Sequence, residues 1–74
     1  MKKFKPGYYQ HYKGPKYLAL GVCKHSETLE DLVVYICLHE NTTSQMWVRP
    51  LTMFLEEVEV EGKKVDRFKF LNSY

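Results

Sequence analysis

Seventy-four residues, 45% hydrophobic, 27% charged and 15% aromatic, make one small globular domain with a thin core. That balance excludes a disordered tail, and no apolar stretch approaches the roughly 18–20 residues of a membrane span. The net charge of +2 is too small to imply a polyanion partner by itself, although its distribution is uneven. Through Lys24 there are six lysines and no acid. From Ser26 to Glu61 there are eight acids against Arg49 alone, and from Gly62 onward four basic residues face Asp66. The two basic ends would form one patch if they meet in space.

Residues 1–6 read as a basic arm without the apolar run of a secretory signal, so a cytoplasmic location is expected. Tyr8–Lys13 is a short aromatic-polar strand or extended arm closed by a turn at Gly14-Pro15. Tyr17–His25 and Leu32–His39 read as a hairpin joined by the polar Ser26–Asp31 loop. If His25 pairs Leu32, Cys23 pairs Val34 and Gly21 pairs Ile36. One face then carries Tyr17, Ala19 and Cys23 with Leu32, Val34, Ile36 and Leu38. The other carries Leu18, Leu20 and Val22 with Val33, Tyr35 and Cys37. Both faces are apolar and need cover, from the Tyr8–Tyr12 arm, from Val65–Leu71 or from a second copy of the chain.

Glu40–Ser44 is a turn, and Met46–Arg49 is a strand with Trp47 and Arg49 on one side and Val48 on the other. Pro50 ends that pairing, and the following Leu, Met and Phe suit one short helical turn near residues 50–55. Glu57–Glu61 alternates strictly, Glu61–Lys64 turns, and Val65 with Arg67–Phe70 forms a closing strand. The whole is mostly β, a single domain over residues 1–74. A small antiparallel barrel is the expected form, because closure removes sheet edges.

Little here points to catalysis, a metal or a cofactor. The repeated Cys-x-His of Cys23/His25 and Cys37/His39 has the residue types of a zinc site. In an antiparallel hairpin with the cysteines opposite one another, however, the two histidines stand roughly 13 Å apart. His25-Ser26-Glu27-Thr28 holds hydrolase residue types, but neighbours in a tight loop point in different directions. The surviving candidates are binding determinants. The first is the aromatic-basic arm, in which Phe4, Tyr8, Tyr9, Tyr12 and Tyr17 interleave with Lys2, Lys3, Lys5, Lys13 and Lys16, with His11 among them. The second is Trp47 with Arg49, near the His25–Glu27 loop and Tyr35. Arg49, the one basic residue of an acidic stretch, is expected to pair with a carboxylate such as Glu27 or Glu57. Its replacement by Met would then lower the melting temperature.

His11-Tyr12-Lys13-Gly14, His25-Ser26-Glu27-Thr28, Leu32-Val33-Val34-Tyr35, Trp47-Val48-Arg49-Pro50, Phe54, Gly62 and Arg67-Phe68 resemble a bacterial domain-of-unknown-function family, number 1653. The resemblance spans Gly7 to about Phe70. The departures are the absence of glycine from the 40–45 turn and Asp66 where a proline often precedes Arg-Phe. The resemblance implies an SH3-like barrel and carries over no catalytic residues. The expected role is a non-enzymatic binding module, its partner a protein or a weakly and non-specifically held nucleic acid. No membrane partner is expected, and the chain is expected to be a monomer or a homodimer. The alternative is a small enzyme or ligand sensor built on the His25, Glu27 and Arg49 region.

Overall fold

The computed structural model describes residues 3–74, so Met1 and Lys2 of the expected basic arm lie outside the described residues. The elements are β1 (Gly7–His11), β2 (Lys16–Lys24), β3 (Asp31–Cys37), β4 (Met46–Pro50), α1 (Leu51–Phe54), β5 (Glu57–Val60), β6 (Lys63–Asp66) and β7 (Phe68–Asn72). Five strands form one antiparallel sheet in the order β4-β3-β2-β1-β7, and β5 and β6 pair as a separate hairpin. The single closing strand expected after Gly62 is therefore two. Arg67 divides them because its backbone is used elsewhere. Its N–H donates to the Glu56 carbonyl and its carbonyl accepts from the Tyr12 N–H.

The chain ends extend the sheet instead of covering it. β1 lies between β2 and β7, so neither the Tyr8–Tyr12 segment nor the C-terminal strand roofs a face. Register decides which face becomes the core. Cys23 pairs Leu32 and Gly21 pairs Val34, two residues away from the expected pairing, and the register shifts again between Ala19 and Gly21. That irregularity puts Ala19 opposite Tyr35 and Tyr17 opposite Cys37. An odd change of register sends a residue's partners to the other face. The buried set is accordingly Tyr9, Ala19, Val33, Tyr35, Phe54 and Phe68, which draws on both predicted faces. The opposite face keeps a cross-strand row of Tyr8, Leu18, Ile36 and Met46, with Val34 beside Val48. Met46 and Val48 are 55% and 54% exposed.

The sheet does not close into a barrel, since β4 and β7 remain its two edges. It is nevertheless strongly coiled. Arg49 on one edge strand places its guanidinium carbon 5.5 Å from the ring centre of Phe68 on the other. The β4 edge is defended locally. The Ser44 hydroxyl donates to the Met46 carbonyl (2.8 Å) and accepts its N–H (3.2 Å), and Pro50 offers no N–H.

α1 plugs the concave face. It is a single turn directly after Pro50, closed by the Leu55 N–H on the Leu51 carbonyl at 3.1 Å. Phe54 is fully buried, stacked on Phe68 (4.2 Å between centroids) and edge-on to Tyr9 (5.0 Å). No helix among the described residues is long and apolar enough to cross a membrane.

Candidate functional site

The concave face beside α1 is lined by aromatic rings converging on Phe68. Tyr17 stands 5.6 Å, Tyr35 5.7 Å and His11 5.0 Å from it, and His39 packs edge-on to Tyr17 at 5.6 Å. Into this cluster projects Arg49, half-buried. Strand alternation places it on the same face as Trp47, as expected, while Val48 points away. The Arg49 Nε is buried without a hydrogen-bond partner. Among the described residues the salt bridges are Lys24 to Asp31 and Arg67 to Glu56, both at 2.6 Å; Arg49 has none. The expected pairing with Glu27 is absent because Glu27 sits exposed in the β2–β3 loop.

The charges acting on His11 are cationic. Desolvation, then the nearby charges of Arg49, Arg67 and Lys13, hold His11 below the ordinary histidine range, so its imidazole is neutral at pH 7. Its Nδ1 accepts the Lys13 N–H at 3.2 Å. Burial pushes the Tyr17 hydroxyl up, with Cys37 and Tyr35 adding to the shift and Arg49 opposing it. Arg67 also carries a buried, unpartnered Nε, although its other end is neutralised by Glu56. These groups suit a small anion: a guanidinium with no counter-charge among the described residues, a hydroxyl, and an imidazole able to gain a proton.

Of the other predicted residues, Tyr35 and Trp47 share this face, while Tyr12, Lys13, His25 and Glu27 do not. Tyr9 is a core residue whose hydroxyl donates to the Lys5 carbonyl (2.6 Å) and whose acidity is lowered by burial. Tyr35 is buried, and Trp47 packs against the core. His25 builds its own loop. Its Nδ1 accepts the N–H groups of Glu27 (3.1 Å) and Thr28 (3.3 Å), while Leu29 closes the turn with φ +62°. Tyr12 and Lys13 lie outside the concave face, exposed at the β1–β2 turn. His39 and Phe68 were missed as binding residues, and Tyr17 was placed in the aromatic-basic arm instead of beside Arg49. The alternation of Arg67-Phe68-Lys69-Phe70 and the Arg67-Phe68 block of the resemblance hinted at Phe68, and only the Cys-x-His repeat marked His39.

Next to this face, between the β1–β2 turn and the β5–β6 hairpin, opens a cleft of about 410 Å³ lined by Gln10, His11, Tyr12, Val60, Val65 and Lys69, among others. His11 lines this cleft and also packs on Phe68 at the concave face.

The family described as "Protein of unknown function (DUF1653)" matches the chain over residues 7–70. A crystal structure of a protein of that family from Bordetella bronchiseptica is 38% identical, with a TM-score of 0.92. The similarity covers 100% of this chain and 95% of that one. No curated protein matches the sequence.

Proposed function

The chain belongs to the DUF1653 family, and we propose that it is a non-enzymatic binding module. Its concave aromatic face would take an anionic group borne by a protein or nucleic-acid ligand. The observation that carries this reading is Arg49, held over Phe68 with a buried Nε and, among the described residues, neither a partner for it nor a carboxylate. A partly desolvated cation without a counter-ion is costly, and an incoming anion offsets that cost. The coiled sheet with a helical turn at its mouth is compatible with an SH3-like barrel left open between β4 and β7. That analogy adds little about ligands. An enzyme or sensor using His25, Glu27, Tyr35 and Arg49 is disfavoured because His25 builds its own loop and Glu27 is exposed in it, while only Tyr35 and Arg49 meet around Phe68.

Titration with inorganic phosphate or acetate, followed by NMR, tests the site. The expected result is saturable shifts centred on Arg49, Phe68 and Tyr17, abolished in Arg49→Met. Because no ion pair is broken, Arg49→Met should keep or raise the melting temperature, opposite to the sequence-based expectation. A hidden buried pair would instead cost about 3–5 kcal/mol, more than about 10 °C in a domain of this size. Such a drop, or an absence of shifts, would reject the anion site.

A pH dependence follows from His11. With its folded pKa lowered, the unfolded chain binds the extra proton more readily. Stability is therefore full above about 6.5, the unfolded value, and declines as pH falls from there through the lowered folded value. Denaturation midpoints across that window should show the slope in the wild type and lose part of it in His11→Asn. Anion affinity should rise over the same window, since protonated His11 adds a charged donor.

A further inference from the structure

A second surface, which shares His11 with the Arg49 face but none of its cations, lies where the basic chain ends meet. Because β1 pairs β2 on one side and β7 on the other, Lys16 stands opposite Gln10 and Gln10 opposite Lys69. The three form one cross-strand row, and the two lysines are roughly 10 Å apart at the ordinary strand spacing. Lys13 joins them from the turn, its ammonium 5.8 Å from the ring centre of Tyr12. Lys13, Lys16 and Lys69 have no carboxylate partner among the described residues.

Gln10 and Lys69 also line the 410 Å³ cleft. Its wall carries two tilted aromatic rings, His11 and Tyr12, 4.6 Å apart, and Tyr12 is 39% exposed. The volume lies within the range of small-ligand pockets, about 300–1,000 Å³. Unpaired lysines in a row beside an open aromatic wall are the two elements that hold a single nucleic-acid strand: cations along the phosphates and a ring beneath a base.

We propose that this end of the sheet binds single-stranded nucleic acid, with phosphates on Lys13, Lys16 and Lys69 and one base stacked on Tyr12 in the cleft. A duplex has no free base to offer the cleft, and an acidic peptide gains nothing from the ring. Asp66 on the cleft wall and the glutamates of β5 keep the affinity modest.

The test is fluorescence anisotropy with a labelled ten-nucleotide single strand. Three neutralised phosphates give a logarithmic salt slope of about −2, so affinity should fall about twentyfold between 50 and 200 mM salt. The double variant Lys16→Gln, Lys69→Gln should reduce that slope to about −0.7. Tyr12→Ala should weaken binding at least fivefold, about the lower limit for loss of one stacked base. Both variants should melt as the wild type does and still bind inorganic phosphate at Arg49, so the two surfaces are judged separately. The proposal is overturned by no binding at 20 mM salt, or by equal binding of a duplex or a ten-residue polyglutamate. Variants that bind as the wild type does would overturn it as well.

Discussion

Replacing Phe54 with Ala should destabilise the domain by about 3–5 kcal/mol, the cost of removing a large buried ring and leaving a cavity. A chain of this length has a total stability of about 4–11 kcal/mol, so this one substitution removes a large share of it. The reason is geometric. Phe54 is fully buried from a helix of one turn and contacts rings supplied by β1, β3 and β7. It is the side chain that ties the β7 edge of an unclosed sheet to β1 and β3. Urea denaturation checks it, with Met53→Ala as a control, since Met53 on the same turn is exposed and should cost less than about 1 kcal/mol. A Phe54→Ala midpoint close to that of the control would mean that the turn does not hold the core.

Gly7→Ala should cost about 2–4 kcal/mol although the substitution adds one methyl group. Gly7 has φ +150°, where a side chain is strained. A Cβ there would lie 2.5 Å from the Asn72 carbonyl oxygen and 3.0 Å from the Phe70 ring. The oxygen is backbone, so relief requires β1 and β7 to part. Hydrogen exchange should show lost protection across Tyr8–His11 and Phe68–Asn72, with β3 and β4 less affected. Gly14 also has positive φ but meets nothing within 4 Å, so Gly14→Ala should cost only about 1–2 kcal/mol, the conformational penalty alone. Equal losses at the two glycines would show that the β1–β7 approach is looser than described.

Much of the local structure was legible in the residues. Alternation marked the Trp47/Arg49 side of β4 and the Glu57–Val60 strand. Pro50 with its apolar followers marked the helical turn, and Gly14 and Gly62 marked turns. These are short-range signals, set by steric preference and by the period of the chain itself. Family membership was legible for the same reason, because its blocks are contiguous in sequence.

Tertiary structure alone decided the rest. The irregularity between Ala19 and Gly21 chooses which hairpin face is buried, and it is fixed by how Tyr17 and Tyr35 pack on Phe68 and Phe54. The division of the last strand at Arg67 depends on Glu56 and Tyr12, whose backbones claim its hydrogen bonds from 11 and 55 positions away. Arg49 had plausible acids close by in sequence. Coiling of the sheet carries it to Phe68 on the far edge, away from Glu27 and into an aromatic cluster beside His11. Sequence states what each residue prefers locally; the charge and the rings that a side chain meets are set by the path of strands remote from it.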